Sequence, residues 1–495
     1  MRGPAYVLWP ALAVVILGGC AVGPDYKRPA PFASSTAGTN DSVWKPATPS
    51  AHLPRGAWWG IFRDPDLDRL ERLAGTNNQD LAASMASLEQ ARALVAVSRS
   101  EFFPQVSANP GDNLQRTSAN QFLQGRPAGT SYTYHTFTAP LEAGWELDLW
   151  GRIRRRVEGA RARLSAAGDD LETLRLAIQS EIASDYFLVR TLDTEYHLLE
   201  TMIDVFQRSL DLTRNRRLGG VASDLDVSQA ETQVKTTEAQ LPEVKLRRTQ
   251  AMHALATLCG QAAFAFSLAD STEAVVDPPE LPTALRSELL ERRPDIAAAE
   301  RRVAAANADV GVAQSAFYPH VQVNGLAGFQ SISIGTLFNW PSRIWAVGPS
   351  LELPLFTGGR NRAQLTVARQ AYEETVARYR QTVLGAFQEI EDQLAAQELL
   401  ATEERAQEAA LLSARKTLEV ASNRYRAGLV TFLEVATAQS AALTEERTVV
   451  QLKAQRLAAC VALIKAAGGS WQGSDSPVAA NGIGATPVAA SVAVR

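Results

Sequence analysis

Cysteine, methionine and histidine are scarce in this sequence, at three, four and five copies in 495 residues. Three cysteines cannot build a disulfide framework. Two of them, Cys259 and Cys460, fall on apolar helical faces, where a free thiol behaves as a small buried hydrophobe. The histidines, His52, His135, His197, His253 and His320, are scattered, and no CxxC or HxxxH spacing occurs. A metal site therefore has no sequence support. An excess of charge of one sign is also missing. The 49 basic and 53 acidic side chains leave a net charge of −4, which argues against a nucleic-acid partner. There is no nucleophile elbow, phosphate loop or paired metal ligand, so the expectation is no enzyme and no cofactor. The apolar run from Tyr6 to Leu17 is too short for a membrane-spanning helix.

That run follows Arg2 and reads as the core of a secretory signal, residues 1–19. It ends in Leu17-Gly18-Gly19-Cys20, which resembles a bacterial lipobox. The resemblance implies cleavage before Cys20 and a covalent lipid on that residue. Ala21, not aspartate, follows, which implies sorting to the outer membrane. Acyl chains anchor by burying methylenes, at roughly 0.8 kcal/mol for each CH₂. Residues 20–56 then form a lipidated arm, rich in proline, serine, alanine and threonine and without a sustained period.

The body is one unit written twice, over 57–282 and 283–472. Asp80-Leu81-Ala82-Ala83 matches Asp295-Ile296-Ala297-Ala298, and Ser100–Val106 matches Ser315–Val321, both at an offset of 215. Glu146–Leu149 matches Glu352–Leu355 at 206. The first helix of each copy has a seven-residue apolar beat: Leu81, Leu88, Val95, Phe102, and then Ile296, Val303, Val310, Phe317. Such a beat implies coiled-coil packing. Each helix is expected to stop at Phe103-Pro104 or Tyr318-Pro319.

Strand character follows. Leu141, Ala143, Trp145, Leu147 and Leu149 alternate with Glu142, Gly144, Glu146 and Asp148, so the two faces meet very different surroundings. Val347, Leu351, Leu353 and Leu355 repeat the pattern. With strand candidates at 106–108, 132–138 and 321–329, about four strands per chain are expected. Aromatics crowd the strand ends: Phe102, Phe103, Trp145, Trp150, Phe317, Tyr318, Trp345 and Phe356. A girdle at a membrane interface explains them better than a soluble core does. The run Arg152, Arg154, Arg155, Arg156 fits either a solvated helix start or an interface anchor.

Proline-free helix is expected from Arg152 to Leu218, which is on the order of 100 Å at 1.5 Å per residue. The chain reverses at Arg217–Val227 and again, 208 residues on, at Tyr425–Val435. Gly220 and Gly428 supply the positive φ that ends each incoming helix. Ser223 and Thr431 are placed to cap the outgoing ones, with Asp226 and Glu434 completing a capping box. The return helix is expected to break near Pro242. Four strands cannot close a barrel, and open sheet edges are forbidden in lipid, so the barrel must be shared between chains. The expected fold is therefore an α+β membrane protein.

The chain resembles the outer-membrane factors, the TolC-like channels, and within them the lipoprotein NodT-type branch serving resistance-nodulation-division efflux systems. The matching pieces are Cys20–Tyr26, Trp58–Leu67, Arg292-Arg293-Pro294-Asp295-Ile296 and Val461–Trp471. The resemblance implies a homotrimer with a shared twelve-stranded barrel, lipid-anchored in the cell outer membrane, and a coiled-coil periplasmic tunnel. It also implies docking of a periplasmic adaptor protein, which joins the channel to an inner-membrane resistance-nodulation-division pump. Gly220, Val221, Ser223, Gly428, Leu429 and Thr431 fall on the docking positions. Leu433 and Glu434 fall on the gate, with Asp224 and Asp226 as further acidic candidates. Relatives often carry aspartate where this chain has Thr437. A type I protein-secretion channel and a structural envelope-spanning coiled-coil lipoprotein are the competing readings. The alternating strand at 141–149 argues against the second. Residues 473–495 lack any period and are expected to be disordered.

Overall fold

The computed structural model describes residues 21–29, 56–120, 129–272, 276–279 and 293–469. The signal, Cys20, most of the arm, the 282/283 boundary and the tail after 473 lie outside the described residues.

The first copy holds α1 (Pro65–Asn77), α2 (Gln79–Ser100), β1 (Gln105–Ala108), β2 (Gly111–Arg116), β3 (Thr133–Leu147), α3 (Arg152–Leu218), α4 (Asp224–Glu238) and α5 (Leu241–Leu258). The second holds α6 (Pro294–Ser315), β4 (His320–Ser331), β5 (Arg343–Glu352), α7 (Arg360–Arg426) and α8 (Phe432–Ala466). Both long helices, α3 and α7, have 67 residues. The break before Pro242 falls at Ala239-Gln240, whereas α8 runs through without one. Helices α2 and α6 end at Ser100 and Ser315, a turn ahead of the expected prolines. Proline disfavours helical geometry in the residue before it, so each helix unwinds early.

The strands make one antiparallel sheet in the order β1-β3-β4-β5, with β2 also on β3. Ala108 faces Leu141 and Gly111 faces Thr138, so β1 and β2 are one strand path interrupted at Asn109-Pro110. Proline cannot donate to a ladder, which explains the gap. Regions 132–138 and 141–149, read apart in the sequence, are the single strand β3. It stops at Leu147, and β5 stops at Glu352, so Leu149, Leu353 and Leu355 lie beyond the sheet. Gly328 faces Pro140, and a Cβ there would sit 2.3 Å from the Ala139 carbonyl oxygen, so only glycine fits.

Directly opposed residues share a face, so the register sorts the side chains. Leu141, Trp145, Val323, Phe329, Trp345 and Leu351 fall on one side of the sheet. Glu142, Glu146, Gln322, Asn324, Ser350 and Glu352 fall on the other, with Leu326 and Ile344 as apolar exceptions. One surface suits lipid and the other suits water. At the helix-side end, the indole of Trp145 donates to the Phe102 carbonyl and that of Trp150 to the Pro319 carbonyl.

The arginine run is ion-paired, with Arg154 and Arg156 still partly exposed to solvent. Arg152 pairs with Glu146, Arg154 with Asp148, and Arg156 with Glu101. Four positive groups oppose the dipole of a helix N-terminus, and these carboxylates offset that. Asp148 also accepts from the Ile153 and Arg154 N–H groups, capping a helix whose preceding Gly151 has no side chain to do it. Arg155 is buried and reaches the arm, donating to the Val22 and Gly23 carbonyls and to Asp25. Asn307 holds the Pro24 carbonyl, and Glu300 holds Tyr26 and Arg28. The arm thus lies across α3 and α6, with Gly23 against Gly311.

Of four apolar clusters along the helices among the described residues, two are large. One joins α1, α3, α5 and α8 around Leu67, Leu70, Ile182, Tyr186 and Leu255. It contains Cys259 and Cys460, whose thiols burial pushes up to about 11 and about 12. The other binds α3, α4, α7 and α8 near the reversals, around Leu199, Phe206, Tyr425 and Phe432.

Candidate functional site: the paired hairpin tips

Both reversals form as the sequence predicts, and the second core brings them side by side. Gly220 has φ 74° and Gly428 φ 76°. Each sits in a helix-ending turn: the Val221 N–H donates to Arg216 O, and the Leu429 N–H to Arg424 O, both at 2.9 Å. Val221 and Leu429 are exposed at the very ends, as are Leu218 and Leu225. The tips are therefore apolar knobs on a rigid frame.

The outgoing helices start differently. Ser223 caps α4 with a complete capping box: its hydroxyl accepts from the Asp226 N–H, and the Asp226 carboxylate accepts from the Ser223 N–H at 2.9 Å. Thr431 has cap-like backbone angles, φ −77° and ψ 163°, but its side chain makes no capping hydrogen bond. The expected second box is absent. Glu434 leans towards Arg424 at 3.7 Å. The Phe432 N–H is turned to the Asp226 carboxylate of the other tip.

Asp226 therefore serves both hairpins. Burial pushes its carboxyl up, but the Ser223 N–H and hydroxyl, the Phe432 N–H and the Arg216 charge outweigh that and hold it below the usual carboxylate range. Arg216 donates to the Arg426 carbonyl and lies 4.7 Å over the Tyr425 ring. Tyr425 reaches across to Thr213 at 3.1 Å and packs edge-on against Phe432. These ties were not read from the sequence. The one signal for them is the seven-residue spacing of Tyr425 and Phe432 beside a basic last helical turn. Asp224 is ion-paired with Arg217. Leu433 is exposed, and Thr437 spends its hydroxyl on the Leu433 carbonyl.

A sheet with one apolar and one polar face, carried on helices of ~100 Å that end in braced tips, is the architecture of a conduit through a membrane and beyond it. The family model described as outer membrane efflux protein matches residues 70–261 and 285–469, and the chain belongs to that family. It is 32% identical to the outer membrane protein OprJ of Pseudomonas aeruginosa, over 97% of this chain and 99% of that one. It is also 32% identical to the antibiotic efflux pump outer membrane protein ArpC of Pseudomonas putida, over 93% of this chain and 95% of that one. The solved outer-membrane channel OprN superposes with a TM-score of 0.80 at 30% identity, over 91% of this chain and 100% of that one. The protein is thus a TolC-like outer-membrane efflux channel, a conduit and not an enzyme.

Proposed function

We propose that three copies assemble into one channel, that its tips dock a periplasmic adaptor, and that the adaptor links it to an inner-membrane resistance-nodulation-division pump. One observation carries the trimer. Helix α6 is packed between α3 and α7, with twelve of its residues buried. Its counterpart α2 packs on α3 and buries only Leu81 and Val95, leaving Met85, Leu94 and Val97 exposed. Helix α7 buries nine residues where α3, of the same length, buries 23. The bare flanks of α2 and α7 are the two halves of a seam, and a neighbouring copy completes it. The sheet has the same gap, with β1/β2 at one edge and β5 at the other. Successive strands alternate in direction, so β5 of one copy meets β1/β2 of the next antiparallel. Three copies of four strand paths give a twelve-stranded barrel with no edge in lipid.

In this reading Gly220, Val221, Ser223, Gly428, Leu429 and Thr431 form the adaptor surface. Leu433 narrows the tunnel mouth. Glu434, Asp224 and Asp226 are the acidic members of the gate, each set against an arginine, Arg424, Arg217 and Arg216. Ala21 lies against Gly151 at the junction of sheet and helix, which supports a lipid on Cys20 anchored at that depth. The test is single-channel conductance of the purified protein in a planar bilayer, with native mass spectrometry for stoichiometry. A small wild-type conductance that rises in Leu433→Ser supports the tip gate. A monomer with no conductance overturns the assembly.

A further inference from the structure

The connection between β4 and β5 carries a cluster of exposed apolar side chains at one end of the sheet. Its exposed side chains are large and apolar: Ile332, Ile334, Phe338 (71% exposed) and Trp340 (72%). In the first copy the connection leaves β2 through Thr117-Ser118-Ala119-Asn120, and residues 121–128 that follow lie outside the described residues. The apolar loop is not loose. Thr336 N–H donates to Ser333 O, Leu337 N–H to Ile334 O, Asn339 N–H to Thr336 O and Ser342 N–H to Asn339 O, so successive tight turns fix its shape. The Ser342 hydroxyl adds a bond to the Thr336 carbonyl, and Leu337 is buried beneath.

Three side-chain contacts decide which way the loop leans. Phe338 packs edge-on against Phe329 at 5.6 Å between ring centroids. Thr336 and Ser331 share a hydroxyl hydrogen bond of 2.7 Å. Arg343 lies 4.3 Å over the Trp340 ring and donates to the Trp340 carbonyl at 3.0 Å. In the register of the sheet, Phe329, Ser331 and Arg343 belong to the apolar face, with Leu141, Val323 and Trp345. The loop is therefore folded outwards over the lipid-facing surface, not inwards over the polar one.

Depth follows from length. A strand tilted by ~45° needs about 9–11 residues to cross the hydrocarbon. Strand β4 has 12, and Arg343 faces Phe329 near its far end. Arg343 thus stands where the apolar band meets the outer headgroups, a depth at which a lipid-facing arginine is tolerated. No acidic side chain pairs with it among the described residues. Within the chain the nearest acid on that face, Asp112 on β2, is three strand spacings away, roughly 14 Å, and is held by His135 at 3.0 Å; in the assembled barrel the neighbouring copy's Asp112, on the strand beside β5, has that same histidine partner. An unpaired guanidinium beside exposed rings presents free N–H donors to a phosphate, and the rings lie against the acyl chains below it.

We propose that Arg343, Trp340, Phe338 and Trp345 form a seat, one per chain, for a phosphorylated lipid of the outer leaflet. The guanidinium takes the headgroup phosphate, and the aromatic side chains hold the first part of the acyl chains. The inference rests on the outer-membrane location and the sheet register, not on the assembly or docking proposed above.

The test reconstitutes the full-length protein in phosphatidylcholine vesicles containing either bis-phosphorylated lipid A or its dephosphorylated form. Thermal unfolding and native mass spectrometry of bound lipid are the readouts. The wild type should unfold at a higher temperature with the phosphorylated lipid and retain it. Arg343→Ala should bind that lipid about tenfold more weakly, as expected for losing charge-assisted hydrogen bonds. Arg343→Lys, which keeps the charge, should recover part of the effect. Trp340→Ala should weaken retention of both lipids alike. A wild type indifferent to the phosphate, or an Arg343→Ala protein that still distinguishes the two lipids, overturns the proposal, and the wild-type comparison needs no variant to fold.

Discussion

The two copies of the repeat share sequence and local structure, yet one is enclosed and the other is open. Helix α6 is buried on both flanks, while α2, which has the same length and the same heptad beat, has one. Nothing intrinsic to the helices explains the difference. It comes from position: α6 has a helix on either side within the chain, and α2 stands at its edge. A periodic apolar beat reports what a helix requires, not whether its own chain supplies it.

This contrast can be broken most severely in the enclosed copy. Val303→Asp puts a charge at a fully buried site of α6 and should cost about 4 kcal/mol or more, abolishing folded protein. Val97→Asp on the exposed flank of α2 should leave the chain folded but prevent association, seen as a monomer by size-exclusion chromatography in detergent. If both behave alike, the seam reading fails. The two faces of the sheet give the next contrast. Val347→Arg on the apolar face, mid-strand, should cost about 2–4 kcal/mol and reduce assembled protein in outer-membrane fractions. Ser350→Arg, three residues on and facing the other way, should be tolerated.

Smaller effects distinguish the tips. Gly428→Ala forces a side chain into left-handed backbone and should cost about 1–2 kcal/mol, whereas Gly219→Ala, at φ −80°, should cost little, as read by hydrogen exchange at the tips. Ser223→Ala should cost about 1 kcal/mol, and Thr431→Ala close to nothing, because only the first side chain caps. The same difference predicts a response to acid. The Asp226 carboxyl is held below its ordinary value, so its contribution is present above the unfolded pKa, roughly 3.9, and is lost as pH falls through the lower folded one. Exchange at both tips should therefore rise together in acid, and Asp226→Asn should remove that dependence.

Much of this was legible in the sequence because it is local. The glycines at 220 and 428, the Ser223 box and the alternation along β3 are each written within a dozen residues, and backbone chemistry at that range is nearly unambiguous. What escaped was long-range. Nothing near Arg155 announces that it grips an arm 130 residues earlier, and nothing near Thr431 indicates that Asp226 has taken the N–H beside it. The arginine run looked alike in sequence, yet its members point to different partners once the strand end and α2 are folded against it. The union of β1 and β2 into one path also depended on a partner strand, which supplies the register that Pro110 interrupts.

The equal span of α3 and α7 makes the molecule a ruler. Inserting one residue in either would turn everything beyond it by ~100° and shift it by ~1.5 Å, swinging one tip off the other. Arg216 would then leave Tyr425, and Asp226 would leave Phe432. An added heptad of ~10.5 Å preserves the facing but still staggers the tips unless both strokes of both hairpins receive it together. A lineage can therefore lengthen or shorten this protein only in matched sets of whole heptads, so its reach can evolve only in coarse steps.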